Sequence, residues 1–417
     1  MATSKKNIRE FGKIFQYLKD PELRKKEVGD ALLTVEGAEI SGESFQYVDW
    51  SHILFRNCDF VGAYQIKIGN STDVRYEDCR FSGIFGYGKT NRVHFLRCAW
   101  TDGSIGYAGE KSTALVFESC RFVGTNPDRN HWGGVGSDGE AEFIGCTAKY
   151  FVIEGHAKLT LRQCEFEDTK CTPRSKESGG VFADVLIEDC KLRSVFSMVP
   201  ADFQSLTIRD STFGTLDLSK AMLKGDILME RINAEKMNLA VASGKAVNLS
   251  GVKISGSGQK VFYLAANRVT SVLLNDCVLS SAPDSEAPWI GGAEQEPAYK
   301  SRPPVNQSVT LKNLKASRID ATYLNTARLL VEGGNFQEVD LRNGRIGSLE
   351  ISNTAIVSTL NLGSSTVDSL MLSSVVFSKT LNLSNTQIKE FKQVGGTDIG
   401  KLGRNLNKEG SNIKLPR

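Results

Sequence analysis

One loop of the chain holds the side chains best suited to catalysis. His131 lies between Asp128 and Asp138, and His156 follows further along the chain. An imidazole beside carboxylates can act in general acid–base chemistry, and a polysaccharide hydrolase needs two carboxyl groups that flank the scissile bond. A lyase would instead combine a base with a cation. The catalytic candidates are therefore His131, Asp128, Asp138 and His156.

The same residue types also have a purely structural explanation. Asp, Asn and His are frequent in tight turns, so their presence in a loop does not require catalysis. The chain has no His or Cys pair at metal-ligand spacing and no phosphate-binding loop. We therefore expect no cofactor, no metal site and no enzymatic activity. Should the protein be an enzyme, the expected class is polysaccharide lyase or glycoside hydrolase.

Aromatic side chains form a second set of candidates. They lie in insertions that interrupt a repeat, at residues 82–91, 101–112, 123–140, 167–180 and 280–307. Insertions at one position of a repeated coil emerge on one face, where rings among glycines suit stacking on sugars or gripping a peptide. The opposing interpretation is that the rings fold back and cover the flank of the coil. The candidate binding residues are Phe85, Tyr87, Tyr107, Trp132, Trp289 and Tyr299.

The elements that must position these residues are visible as a repeated six-residue segment. Each segment begins and ends on a large apolar residue and has a small residue, usually Cys, at its fourth position. The cysteines in this frame, from Cys58 to Cys190, lie 18 to 26 residues apart, which is typical of a solenoid unit lengthened by insertions. Short alternating apolar stretches between Gly, Asn, Asp and Ser predict β-strands. The segments begin at Phe55, Tyr76, Phe95, Phe117, Leu161, Ile187, Ile208 and Leu274.

The C-terminal third keeps the repeat in a more regular form. Alternation of period two points both apolar residues of each pair towards the lumen of a coil. The pairs advance by 10 or 11 residues, so two of them make a coil of 21. A single coil cannot bury its own apolar face, and parallel stacking at about 4.8 Å solves this. The pairs are Val339/Leu341, Leu349/Ile351, Leu360/Leu362, Leu370/Leu372 and Leu381/Leu383.

We expect the nine cysteines to be reduced. Stacked cysteines with parallel Cβ vectors are separated by the rise between coils, which exceeds the roughly 3.8 Å that disulfides prefer. Eight of them therefore predict a column of small apolar side chains. Cys171 lies outside the repeat frame, and we expect it in an exposed loop.

The Cys-x-aromatic steps carry a resemblance to a known superfamily. Cys58-Asp-Phe60, Cys79-Arg-Phe81 and Cys164-Glu-Phe166 resemble the right-handed parallel β-helix superfamily and, in part, pentapeptide-repeat proteins. The likeness covers most of residues 30–394 and implies an all-β, right-handed parallel β-helix. This superfamily includes lyases, hydrolases, phage tailspikes, adhesins, bacterial effectors and gyrase-protecting proteins, and fold alone does not choose among them.

The ends of such a solenoid need covering because open strand edges associate. Helically spaced apolar residues such as Ile8, Phe15 and Leu18 predict an N-terminal cap; the alternative is a basic amphipathic segment for a membrane surface or a partner. The C-terminal residues are either a loose end or a strap along the last coil. The expected organisation is a cap at 1–29, a solenoid at 30–394 and a tail at 395–417. Within the solenoid we expect irregular coils at 30–280, a proline-rich insertion at 280–307 and regular coils at 308–394.

Charge and composition narrow the function classes. A net charge of +3 over 417 residues gives no chain-wide case for binding nucleic acid or anionic membrane. No apolar run reaches the roughly 18 residues of a membrane span, and residues 1–9 do not resemble a signal peptide. We therefore expect the cytoplasm or leaderless export; the oligomeric state stays open.

The expected function is a non-catalytic binding scaffold that uses its insertion face. The expected ligand is a protein partner, as in a bacterial effector-like or immunity-like module. The alternative is a carbohydrate-binding or polysaccharide-degrading β-helix of tailspike or lyase type.

Overall fold

The chain is nearly all β, with 63% strand and 8% helix, and its parallel strands form a β-solenoid of about 14 turns. The predicted fold class is thus confirmed. The chain divides into two compact units, Met1–Phe203 and Gln204–Arg417. The computed structural model describes residues 5–41, 45–62, 67–108, 113–124, 133–137, 139–155, 158–172, 182–198, 202–219, 221–241, 243–259, 261–279, 286–292, 306–397 and 399–413.

Short helices precede the first coils, as predicted. A 3₁₀ helix at Ile8–Phe11 leads into α-helices at Lys13–Lys19 and Pro21–Val28. Asp20 caps the last of these by accepting a hydrogen bond from the backbone of the third residue of the helix, and proline suits the first helical position. No helix among the described residues is long and apolar enough to cross a membrane.

The helices pack on the first coil through aromatic side chains. Phe15 contacts Phe45 edge to face at 6.0 Å between ring centroids, and Phe45 contacts Trp50 at 5.3 Å. The indole N–H of Trp50 donates to the carbonyl oxygen of Leu18 at 3.1 Å. The helices therefore act as the predicted cap for the first unit.

A tight corner recurs in each coil of the first unit. Asn57, with φ of 50°, precedes Cys58, and the next strand begins at Asp59. This left-handed conformation is unfavourable for most residues but more accessible to Asn, Asp and Gly. The six-residue repeat therefore consists of a strand end, a corner and the start of the next strand. The equivalent corners are at Asp78, Arg97, Ser119, Gly145, Gln163 and Asp189.

Two columns of stacked rings fill the core of the first unit. In one column, Phe95 stacks on Tyr76 at 4.6 Å and on Phe117 at 5.0 Å, with interplanar angles of 9° and 5°. In the other, Trp100 stacks on Phe81 at 4.6 Å and on Phe122 at 4.7 Å. Parallel register places like residues of successive coils directly above one another, which is why the rings stack face to face.

All nine cysteines are free and buried, as expected for eight of them. The thiol of Cys58 lies 3.4 Å from the carbonyl oxygens of Val35, in the preceding coil, and Arg56, so it can donate to either. The expectation for Cys171 was wrong, because it belongs to the strand Glu165–Thr172 and is fully buried. Its segment pairs with the preceding coil instead of leaving it as a loop.

The expected loop at residues 82–91 is likewise part of a strand. Arg80–Leu96 pairs with Lys67–Glu77 on one side and with Ala99–Ala108 on the other. Pairing satisfies the backbone groups that a loop would leave to solvent, so this insertion widens the sheet. The strands of the first unit are Lys6–Asn7, Leu33–Glu36, Ala38–Ser41, Gln46–Val48, Ile53–Arg56, Asp59–Val61, Lys67–Glu77, Arg80–Leu96, Ala99–Ala108, Thr113–Glu118, Arg121–Val123, Gly133–Ser137, Glu140–Ile144, Thr147–Glu154, Lys158–Arg162, Glu165–Thr172, Phe182–Glu188 and Lys191–Ser197.

In the second unit the inward apolar residues stack as the sequence predicts. Val339 pairs with Leu360, and Leu360 pairs with Leu381, which confirms the coil of 21 residues. The strands are Asp202–Arg209, which begins at the boundary, Thr212–Asp217, Met222–Leu223, Asp226–Glu230, Asn233–Leu239, Gly244–Ser250, Lys253–Ile254, Phe262–Leu264, Val269–Asn275, Val278–Leu279, Trp289–Ile290, Asn306–Lys312, Lys315–Asp320, Asn325–Glu332, Asn335–Asp340, Arg345–Ser352, Ala355–Asn361, Thr366–Ser373, Val376–Phe377, Thr380–Asn382, Gln387–Val394 and Leu406–Asn407.

Residues 399–413 form a strap along the last coil. A 3₁₀ segment at Ile399–Asn405 leads into Leu406–Asn407, which pairs with Leu381 and Asn382. The Asn412 side chain accepts from the Ile388 amide at 2.8 Å and donates to the Ile388 carbonyl at 2.9 Å. Of the two alternatives for the tail, these residues therefore adopt the strap.

Candidate functional site

The catalytic candidates from the sequence lie outside the described residues. This holds for His131, Asp128, Asp138 and His156, and equally for the binding candidates Trp132 and Tyr299. Their proposed roles stay predictions.

The remaining binding candidates have different positions. Tyr87 and Tyr107 belong to strands, but their side chains lie outside what the structure describes. Phe85 is fully buried and contacts Phe60 at 5.5 Å between ring centroids. The sequence left open whether the ring of Phe85 faces a ligand or covers the solenoid, and its burial in a segment that extends the sheet agrees with the second interpretation. Trp289 is the candidate with a described, partly exposed ring.

Trp289 belongs to a column of outward-facing residues in the second unit. Most members of this column are Asp or Asn, and each of these accepts a hydrogen bond from the backbone N–H two residues later, at 2.9–3.2 Å. Such a contact closes a local turn and forms the corner of its coil. Consecutive members pair in parallel register. The column is Asp217, Asn238, Tyr263, Trp289, Asp320, Asp340, Asn361, Asn382 and Asn407.

Tyr263 and Trp289 therefore interrupt a column of turn-forming residues. Tyr263 lies between two buried residues, Phe262 and Leu264, so strand alternation directs its ring outward. Trp289 precedes the buried Ile290 in the same way. The two rings stack at 4.0 Å with an interplanar angle of 9°, and both are partly exposed. Large aromatic residues thus replace small turn formers at two neighbouring coils.

A cleft of about 420 Å³ lies beside the stacked rings. The backbone N–H of Asp320 donates to the carbonyl oxygen of Pro288 at 2.9 Å, which holds the short strand Trp289–Ile290 against the next coil. The charged residues that line the cleft are Glu286, Arg318, Asp320, Glu338, Asp340 and Arg342.

Ion pairs hold two of these carboxylates in place. Arg342 binds Asp340 through two nitrogens, with Nη2 2.7 Å from Oδ2 and Nε 3.0 Å from Oδ1, and these hydrogen bonds raise the pKa of Arg342. Arg318 Nε lies 3.0 Å from Glu338 Oε2. Over the described lining residues alone, two guanidinium groups stand against four carboxylates, a formal charge of −2.

Asp320 has a different environment. Its Oδ1 accepts from the Thr322 amide at 3.0 Å and from the Thr322 hydroxyl at 2.8 Å. Within the described residues it forms no ion pair. A glycosidase needs two carboxyl groups that face each other across a bond, whereas Glu338 and Asp340 are each bound to an arginine.

A second, larger groove of about 630 Å³ lies elsewhere in the same unit. It is lined by small and polar residues such as Ala327, Gly344 and Gly347, and an ion pair of 2.6 Å joins its Lys389 to Asp368. None of its described lining residues is aromatic. Among the residues that the structure describes, no group of three or more His, Cys, Asp or Glu side chains is arranged to hold a metal ion.

Sequence reasoning included Trp289 among six candidate binding residues but missed Tyr263 and the surrounding charges. The sequence did contain a signal for this column, because Asp320, Asp340, Asn361 and Asn382 recur at intervals of 20 or 21 residues. Extending that interval through the irregular coils would have required knowledge of which residues pair. The structure also corrects the expected insertion at 280–307, since Trp289–Ile290 within it is a strand of the solenoid.

Comparison with known proteins adds no family to this description. No protein family model, no curated protein and no solved structure matches the chain. The class defined by the structure is therefore a parallel β-solenoid, and its function must be argued from the cleft.

Proposed function

We propose that the protein is a non-catalytic binding scaffold and that the cleft beside Trp289 is its ligand site. The observation that carries this proposal is the replacement of turn-forming residues by Tyr263 and Trp289. Closure of this corner does not require an aromatic ring, because Asn or Asp closes it in the neighbouring coils. Partly exposed Trp and Tyr are typical of binding sites, where they supply large contact areas at low entropic cost.

We propose a protein as the ligand, as expected for an effector-like or immunity-like module. The rim of ion pairs around an aromatic centre is the usual composition of a protein interface. A carbohydrate is the second candidate, because an aromatic face beside polar side chains also suits a sugar ring. Polysaccharide cleavage is disfavoured by the binding of Glu338 and Asp340 to arginines.

The nine buried, free thiols favour a reducing compartment, because chains that fold in oxidising compartments commonly use cysteine for disulfides. We therefore propose the cytoplasm, with leaderless export as the alternative.

The test compares two substitutions in the same column. Trp289→Asn installs the residue type that the repeat uses at Asn361 and Asn382, so the fold should be retained. Asn382→Ala is the matched control, since it changes the column two coils beyond Asp340. Proteins captured by the immobilised wild type would be identified, purified and titrated by calorimetry, alongside a glycan array and a reducing-end assay on polysaccharides.

We expect a purified ligand whose affinity falls at least about tenfold in Trp289→Asn, as for an aromatic residue at the centre of an interface, and is unchanged in Asn382→Ala. If the ligand bound Trp289→Asn as tightly as it binds Asn382→Ala, the cleft would be excluded as the ligand site. Release of reducing ends by the wild type, abolished in Trp289→Asn, would overturn the non-catalytic assignment.

A further inference from the structure

We propose that the cleft beside Trp289 binds an arginine side chain of a protein partner. This inference rests on the proposed function, and it names the chemical group that the cleft recognises. Three features of the described residues carry it: the stacking geometry of Trp289, the charge of the cleft and the position of Asp320.

The first feature is the face of the Trp289 ring opposite Tyr263. Tyr263 covers one face at a stacking distance of 4.0 Å. The next member of the column is Asp320, whose side chain is short and folds onto its own turn. Within the described residues no aromatic ring stacks on the second face of Trp289. A planar group placed there would continue the stack at about the 4.8 Å repeat of the coils.

The second feature is charge. Among the described residues that line the cleft, the two guanidinium groups are paired with Glu338 and Asp340, whereas Asp320 forms no ion pair. A cation over an indole face is attracted by the ring quadrupole, and this attraction is strongest for tryptophan. An anionic ligand would meet net repulsion, and a neutral sugar would gain nothing from the excess negative charge.

The third feature selects guanidinium over ammonium. Asp320 is the column neighbour of Trp289, and its Oδ1 is engaged by Thr322. Its carboxylate lies beside the position that a group stacked on Trp289 would occupy. Guanidinium is planar and can stack on an aromatic ring while an N–H in its own plane donates to the remaining oxygen of Asp320, Oδ2, whereas ammonium is a compact point charge. An arginine side chain therefore satisfies the ring and the carboxylate together.

The experiment follows the indole N–H signal of Trp289 by NMR in the full-length protein, assigned by its loss in Trp289→Asn. The probes are N-acetyl-Gly-Arg-Gly-amide, the Lys and Gln versions of this peptide, and methyl glucoside. The test variant is Asp320→Asn, which keeps a residue that the column tolerates at Asn361. The matched control is Asp217→Asn, a column aspartate that pairs with Asn238 and not with an aromatic ring.

We expect a saturable shift with the Arg peptide, a weaker response to the Lys peptide and no response to the Gln peptide or the glucoside. Affinity for the Arg peptide should fall about tenfold in Asp320→Asn, as for a charge-assisted hydrogen bond, and be unchanged in Asp217→Asn.

Equal responses to the Arg and Gln peptides would overturn the inference, as would a response to the glucoside alone, which would assign the cleft to a sugar. If either result appears while a purified protein partner still requires Trp289, the arginine assignment fails and the proposed function stands. If no ligand of any kind requires Trp289, both fail.

Discussion

The stacked rings of the first unit allow a quantitative test of what stabilises the coils. Phe95 is fully buried, stacks on the rings of Tyr76 and Phe117, and contacts Trp100 edge to face at 5.2 Å. Phe336, in the second unit, is equally buried but pairs with Ala316 and Ile356. Substituting leucine at each position removes a similar amount of apolar surface, so the difference isolates the ring contacts.

The expected magnitudes follow from these neighbours. Phe336→Leu is a near volume-conserving change and should lower the free energy of unfolding by less than about 1.5 kcal/mol. Phe95→Leu also removes two face-stacked pairs, each worth roughly 0.5–1.5 kcal/mol beyond burial. The two stacked pairs alone should make its cost exceed that of Phe336→Leu by about 1–3 kcal/mol, and the edge-to-face pairs with Phe81 and Trp100 add to this difference.

Guanidinium titration followed by circular dichroism gives the global values, and hydrogen exchange with mass spectrometry locates the effect. Because a repeat contacts mainly its neighbours, faster exchange in Phe95→Leu should centre on residues 67–124 and leave residues 335–394 unchanged. The reasoning would be refuted if Phe95→Leu cost no more than Phe336→Leu, or if its effect on exchange spread evenly over both units.

Three further outcomes are expected. All nine thiols are buried, so none of them should react in the native protein when it is treated with Ellman's reagent near pH 8, and all nine should react once it is unfolded. At Cys277 burial also raises the pKa to about 11. Rapid labelling of native Cys171 would contradict its burial. Gly334 has φ of 94°, and a Cβ added there would lie 2.5 Å from the carbonyl oxygen of Leu314. Gly334→Ala should therefore lower the free energy of unfolding by roughly 1–3 kcal/mol more than Gly396→Ala, because Gly396 has a similar φ but open space around it. Equal melting temperatures of the two variants would argue against the clash. Burial raises the pKa of Asp59, but hydrogen bonds from Arg80 and Lys5 outweigh it and lower that pKa below its usual value, so the stabilisation is present above about pH 4 and is lost as the pH falls through the lowered value. Asp59→Asn should therefore reduce stability at neutral pH and flatten its acid dependence, and an unchanged profile in thermal melts would exclude a role for this cluster.

The repeat frame was accessible to sequence reasoning because it is local. Phe55, Cys58 and Phe60 lie within one strand-corner-strand segment, where alternation and a small residue at the corner suffice to predict an inward direction. The same argument correctly gave the 21-residue coil from Leu360 and Leu381.

Predictions failed where the backbone of an insertion could form its hydrogen bonds either with solvent, as a loop, or with a neighbouring coil, as a strand. The residues around Phe85 and Cys171 have the composition of a loop, yet they pair with neighbouring coils and bury both side chains. Whether a segment leaves the sheet or widens it depends on a partner strand that lies elsewhere in the chain. Local composition does not contain that information.

For the cleft, too, some features could be predicted from the sequence and others only from the tertiary structure. The amino-acid sequence by itself predicted that the strands stack in parallel, that a small residue, usually Cys, lies between the two large apolar residues of each segment and that Trp289 is one of six candidate binding residues, since each follows from side-chain type and short spacing. Only the tertiary structure decided that Tyr263, Trp289 and Asp320 are neighbours, although insertions of unequal length separate them. The physical reason is that register between coils is set by hydrogen bonding and packing across the whole coil, so an irregular insertion changes the sequence distance between residues that touch.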